Sequence, residues 1–393
     1  MTRRQILMSS AALAAGQSGL RAQQPAAGGQ PSSAPEVLPM EQWEPKSVLK
    51  VPETHVPRAR YPVIDFHTHM THGSRQAPGA EITVSIPPDE ALLVMERKNI
   101  RTMVNLTGSY GAALKQAVAK IHEPHPDKFV VFTEPAYDKA SDSGYPKTQA
   151  DLIEQAHRDG AKGLKVLKTL GLFLQEKGSK TFVRPDDRRF DPMWEATAAL
   201  NWPVAWHCSE PIAFFLPCDR FNERWEEMHT HPESNFYEKG TLSDRELQEA
   251  RRTVMRRHPK LKVSALHVGV SEDLGYVSEC LDAHPNLTVD IAARIGELGR
   301  QPRMARKFFD KYQDRILFGT DASEGAGSPQ QMFGDAMYEI YYRFLETEDE
   351  YFNYCPWPHP VQGRWFIYGI GLPDGILKKV YQDNAARLLG LSA

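Results

Sequence analysis

Two histidines spaced i, i+2 close the segment Val63-Ile64-Asp65-Phe66-His67-Thr68-His69. The residues before them are apolar and β-branched, as in a buried strand. Successive strand side chains point to opposite faces, so His67 and His69 share one face. Asp65 is expected beside them, with Ile64, Phe66 and Thr68 on the other face. Two neutral imidazoles at the C-terminal end of a strand supply half of a metal site. The tripeptide alone does not define one, because a histidine pair in a loop is the commoner occurrence. The missing ligands must come from equivalent places elsewhere in the chain.

Three further segments end in residues of ligand type, and a fourth carries one near its middle. His207 closes Val204-Ala205-Trp206-His207, and His267 closes Ser264-Ala265-Leu266-His267. Asp321 closes Leu317-Phe318-Gly319-Thr320-Asp321, and Lys165 lies within Gly163-Leu164-Lys165-Val166-Leu167-Lys168. Each has a bland alternative. His207 beside Trp206 reads as a satisfied core histidine, His267 as the cap of a following helix, and Asp321 as a turn residue. Taken together, imidazole or carboxylate at the ends of separate strands reads as one site.

The elements that carry these residues alternate. Strands are expected at Val63–His67, Arg101–Leu106, Phe129–Thr133, Ala161–Leu167, Pro203–His207, Lys262–His267, Leu287–Ile291 and Ile316–Thr320. Helices are expected near 88–99, 110–121, 148–158, 191–200, 243–257, 272–283, 302–312 and 373–388. Ser243-Asp244-Arg245-Glu246 is a capping-box pattern that opens one of them. Eight strand–helix repeats of about 30 residues predict an α/β (β/α)8 TIM barrel, with an inserted loop region after strand 5 and a C-terminal helical extension. A doubly wound open sheet competes, but Met70-Thr71-His72-Gly73 is not a Gly-rich phosphate turn. The insertion, 208–242, and a second aromatic stretch, 351–368, are expected above the barrel mouth, where loops set specificity.

The Ile-Asp-Phe-His-Thr-His start, the Phe-Gly-Thr-Asp segment and the terminal Asn384-Ala385-Ala386-Arg387-Leu388-Leu389-Gly390 resemble the amidohydrolase superfamily, in its amidohydrolase-2 branch. The resemblance covers about residues 61–391. It implies a metal held by His67, His69, His207 and Asp321, with His267 and Asp321 as catalytic groups. It implies one divalent ion, zinc being expected, with manganese, iron or cobalt fitting the same donors. Lys165 is carboxylated and bridges two metals in binuclear members; here a substrate-binding role and a single metal are expected.

The chemistry expected is that of a metal-dependent hydrolase, in which a metal-bound water attacks an amide, ester or lactone carbonyl. Asp321 takes the proton and returns it to the leaving group, while His267 steadies the oxyanion or shares the base role. Glu210, three residues past His207, and Arg220, Arg224 and Arg294 are candidate substrate-binding residues, because arginine forks match carboxylates. Two other functions compete. One is a metal-dependent non-oxidative decarboxylase of an acidic substrate; the other is a non-catalytic binding protein on a barrel scaffold.

The whole chain sets the context. It has 393 residues, 41% hydrophobic, with 47 basic against 50 acidic side chains. Thr2-Arg3-Arg4-Gln5-Ile6-Leu7 followed by an Ala-rich apolar stretch to Ala22 is a twin-arginine-type signal pattern, which predicts a periplasmic protein. Removing residues 1–22 takes away Arg3, Arg4 and Arg21 and no acid, leaving 44 basic against 50 acidic. Residues 23–60 read as a Pro/Gln/Gly-rich linker and arm, and 61–393 as the catalytic domain. A small-molecule substrate is expected, with no nucleic acid, no membrane after signal removal, and pairing as a homodimer. No two of Cys208, Cys218, Cys280 and Cys355 make a Cys-x-x-Cys; a bridge between the first two and four free thiols both remain open.

Overall fold

A computed structural model describes residues 38–39, 42–324 and 329–392. The chain divides into two compact units, Met1–Lys46 and Ser47–Ala393. The twin-arginine pattern lies outside the described residues. No helix among the described residues is long and apolar enough to cross a membrane.

The second unit is built on eight parallel strands: β1 Val63–His69, β2 Ile100–Asn105, β3 Phe129–Val131, β4 Leu164–Val166, β5 Pro203–Trp206, β6 Lys262–Ala265, β7 Leu287–Asp290 and β8 Ile316–Leu317. They pair in chain order as two sheets, β1-β2-β3 and β4-β5-β6-β7-β8. Both seams between the sheets are bridged. Thr133 makes a parallel bridge to Leu164 beside β4. Phe66 of β1 donates its N–H to the Phe318 carbonyl, just past β8, at 3.0 Å. The ring of eight is the barrel that the alternating pattern predicts.

Apolar side chains hold it on both faces. Ile64, Phe66, Val104, Val130, Phe132, Ala205 and Leu317 form one cluster, sealed by Ala385 and Ala386. Val63, Met103, Val131, Val204, Val263 and Val289 belong to a larger one that includes the surrounding helices. Ser243 caps helix Asp244–Arg257 with the reciprocal Glu246 contact that the sequence predicts. The sequence assigns no element between Asp321 and Tyr351. The structure places helix Asp335–Glu346 there, with Tyr338, Tyr341 and Tyr342 buried. Helix Ile295–Arg300 was likewise not expected.

In the insertion after β5, Phe215 stacks on Phe236 with ring centres 5.4 Å apart, and Phe173 meets Phe236 edge-on at 5.7 Å. These aromatics pack on one another as a cover. All four cysteines are free, and the Cys208 thiol donates to the Leu247 carbonyl at 3.2 Å. Residues 47–60 run extended along the domain. Thr54 gives its N–H and its hydroxyl to Asp349, each at 2.7 Å, and Arg60 pairs with Asp374 at 2.6 Å.

Candidate metal centre

The strand-one motif is not a regular strand. Register shifts by one residue between Asp65 and Thr68, so two successive residues of β1 oppose one of β2. This overturns the expectation that Asp65 lies beside the histidines. Asp65 turns away and accepts from the Thr320 hydroxyl at 2.6 Å and the Tyr338 hydroxyl at 2.8 Å. Burial lifts its carboxyl to about 6, against those hydrogen bonds. His67 turns the other way, towards Asp290 and Asp321.

Asp321 follows β8 through Gly319, where a Cβ would stand 3.0 Å from His67 Cβ and 3.2 Å from Asp290 Oδ2. Its backbone is left-handed, φ 64°, and its N–H is held by the His67 carbonyl at 2.8 Å. Such a conformation stores strain in a non-glycine residue and persists only where neighbours fix it. One oxygen, Oδ1, lies 2.9 Å from His67 Nε2 and 2.8 Å from His69 Nε2. The other accepts from the Gln331 side-chain amide. Burial opposes ionisation of Asp321, but His67 and His69 outweigh it and hold the carboxyl well below the usual range.

Asp290, at the end of β7, is the functional residue that sequence reading missed. It is fully buried. Oδ2 lies 2.8 Å from His67 Nδ1, and Oδ1 accepts the His267 backbone N–H at 2.6 Å. That N–H is presented by a left-handed His267, φ 60°. The signal was available: a lone carboxylate, Val289-Asp290-Ile291, ends an apolar strand. It stands one residue inside the expected strand end at Ile291, where alternation alone does not mark it as facing the site.

His267 Nδ1 faces the Ala292 carbonyl at 2.8 Å, which fixes the proton there and leaves a lone pair on Nε2. Nε2 is 3.2 Å from His207 Nδ1. His207 in turn places Nε2 3.4 Å from Glu210 Oε2, whose partner is the Lys168 ammonium. Burial keeps both imidazoles neutral: His207 falls to about 4, and His267, further opposed by His207 and Arg294, well below its ordinary value. Glu210 is itself held low, Lys168 and His207 outweighing its burial. Lys165 Nζ is 3.3 Å from His67 Nε2, and burial lowers its ammonium to about 8.

His67, His267 and Asp321 offer ligand atoms that all lie within 4.8 Å of one another. His69 joins them through Asp321, and His207 stands outside that group, one ring further along. The chemistry of the donors fits a cation. His67 gives Nδ1–H to Asp290 and turns Nε2 onto an ionised carboxylate oxygen at 2.9 Å, a contact that only a proton or a cation between them makes favourable. His207 Nε2 is buried without a hydrogen-bond partner among the described residues. Lone pairs crowd this site, and a positive ion satisfies them.

A cavity of about 300 Å³ opens beside the cluster, with His207, Glu210, Arg224, His267, Arg294 and Asp321 among its walls. The three candidate arginines separate here. Arg294 is 7% exposed, and Nη1 donates to the Ala293 carbonyl at 2.8 Å. Arg224 is committed to Glu297 and to Glu227, the latter at 2.6 Å, so its charge is already matched. Arg220 is exposed, lies 4.7 Å over the Phe221 ring, and is not part of the cavity wall.

A parallel barrel carrying histidines and an aspartate on one rim defines a metal-dependent hydrolase or lyase scaffold. The model of the amidohydrolase-2 family matches residues 64–391, and the chain belongs to that family. Family members are enzymes, hydrolases and decarboxylases, typically dependent on a divalent metal. No curated protein matches the sequence. Among solved structures, 2,6-dihydroxybenzoate decarboxylase from Rhizobium is similar at 15% identity, covering 84% of this chain and 99% of its own, TM-score 0.53. An uncharacterised TIM-barrel protein from Bordetella bronchiseptica is similar at 15% identity, covering 84% and 98%, TM-score 0.50. At such identities the likeness is one of fold.

Proposed function

We propose that the protein is a metal-dependent hydrolase of an amide, ester or lactone that bears a carboxylate. The observation that carries this reading is the single Asp321 oxygen faced by two imidazole nitrogens within 3 Å, on the wall of a cavity that also presents Arg294. His67, His69, His207 and Asp321 would hold one divalent ion, zinc matching the three-nitrogen, one-oxygen set. When bound, the ion supplies Lewis acidity, polarising a carbonyl and making water a stronger acid.

The chain's own groups do the rest. Asp321, ionised, accepts the proton of the attacking water and hands it to the leaving group. His267 is neutral and accepts at Nε2, where His207 Nδ1 stands 3.2 Å away, so His207 sets the orientation of the lone pair it offers. Arg294 binds the substrate carboxylate and sets its distance from the metal. Asp290 holds His67 in one tautomer.

Arg294 beside His267 also favours a second reading, decarboxylation of an acidic substrate: the carbon–carboxylate bond breaks to release carbon dioxide, the vacated carbon takes a proton, and a cation, if bound, would polarise the substrate's oxygens. Labelled water separates the two. Oxygen-18 in the product of the purified holoenzyme supports hydrolysis; carbon dioxide release without incorporation rejects it in favour of the lyase.

A further inference from the structure

A second cavity, of about 360 Å³, opens among the loops that follow the first strands. Thr107 lines it, and Thr107 Oγ1 is 3.3 Å from His69 Nδ1. His69 Nε2 meets Asp321 on the wall of the first cavity. His69 therefore touches one wall residue of each cavity, Asp321 of the first and Thr107 of the second. The first draws its walls mainly from the loops after β5 to β8; the second draws them from the loops after β1 to β4.

Glu134, three residues past β3, lines this second cavity. Its Oε2 accepts the Ser109 N–H at 2.9 Å. No Lys, Arg or His pairs with it among the described residues; Lys165 acts on it only from a distance, and burial lifts its carboxyl to about 7. Tyr137, on the same wall, has a buried hydroxyl without a hydrogen-bond partner among the described residues. A half-buried carboxylate without a counter-charge is costly, and here the missing partner has room to enter.

The surround is built to keep that room. Ser109 is held left-handed, φ 62°, by the Glu134 N–H and the Thr133 hydroxyl, at 2.9 and 3.0 Å from its carbonyl. A Cβ at Gly73 would come within 2.8 Å of Ser109 Oγ, and one at Gly79 within 2.3 Å of the Tyr110 ring. The Tyr110 hydroxyl ties to Asp138 at 2.6 Å. Arg75, the basic residue of the lining apart from His72, is exposed.

We propose that this second cavity binds an ammonium group of the substrate, with Glu134 as its counter-charge and the Tyr137 and Ser109 hydroxyl oxygens as further acceptors. An ammonium carries three donors and one charge, which matches that set. The inference rests on the hydrolase reading and sharpens it. The substrate becomes amphoteric, its carboxylate at Arg294, its amine at Glu134, and its reacting carbonyl between them at His69.

The test is titration of the metal-loaded protein with n-propylammonium chloride, followed by saturation-transfer NMR, with n-propanol and butyrate as comparison probes. Propylammonium is expected to bind, with at least about tenfold weaker affinity in Glu134→Gln. Butyrate affinity should stay the same in that variant. Leu167→Trp, which fills the cavity from another wall, should abolish propylammonium binding and spare the metal content. Absence of binding to the wild-type protein, propanol binding as well as the amine, or equal affinity in the variants overturns the proposal. Metal content and oxygen-18 incorporation are measured on the same samples, so loss of the hydrolase reading is seen separately.

Discussion

Asp290 touches His67 through one oxygen and the His267 backbone through the other. Asp290→Asn keeps the size but presents an amide, which can donate to His67 Nδ1 and so favour the opposite tautomer. We expect metal affinity to fall about 10–100-fold, read by competition with a chelator, while the fold is kept. His207→Ala should lose the metal and His267→Ala should retain it with little activity; elemental analysis of both variants distinguishes ligand from acid–base group. Glu134 gives a pH prediction. Its carboxyl ionises near 7 when folded and near 4.5 when unfolded. The folded state therefore binds the proton more tightly, and stability declines as pH rises from about 4.5 to about 7. Glu134→Gln removes that decline, so the variant should gain roughly 1–3 kcal/mol relative to wild type at pH 8 but not at pH 4, by denaturant titration.

Among elements, helix Asp335–Glu346 has most influence on the site without lining its cavity. The Tyr341 hydroxyl accepts the Ala293 N–H at 2.8 Å and donates to the Thr320 carbonyl at 3.2 Å. It thus joins the loop bearing Arg294 to the loop bearing Asp321. Tyr338 reaches Asp65 behind the first strand. Tyr341→Phe is expected to lower stability by about 1–3 kcal/mol and to raise KM for an acidic substrate more than it lowers kcat, in steady-state kinetics. This helix was legible in part: Met337, Tyr338, Tyr341, Tyr342 and Leu345 recur at helical spacing, but Gly334 before it offers no side chain to cap its start. The strand ends were easier. A histidine or aspartate closing an apolar run is visible without coordinates, and the structure brings residues 67, 69, 207, 267 and 321 to one rim. The bulge that turns Asp65 outward was not visible, since alternation assumes an uninterrupted ladder. Nor was the fate of Arg224, because its acidic partner Glu297 lies 73 residues away.

At the scale of the molecule, the eight-repeat pattern carried the fold, while the insertions carried what remained obscure. Long loops owe their shape to contacts distant in sequence, and periodicity does not report those. The buried cluster of imidazoles and carboxylates couples the metal to the whole barrel. Removing the ion leaves opposed lone pairs in a closed interior, so chelation should lower Tm by several degrees and zinc should restore it, by calorimetry. An unchanged Tm would count against a metal centre.

The contact between Phe66 and Phe318 joins the earliest strand of the barrel to its latest. A nascent chain emerging from the ribosome has both histidines of the first strand in hand long before Asp321 exists. Until that residue is released, the ring stays open, and the imidazoles of the first strand can meet Asp290 but not Asp321. A chain truncated before the last strand therefore lacks the one carboxylate oxygen that two imidazoles face.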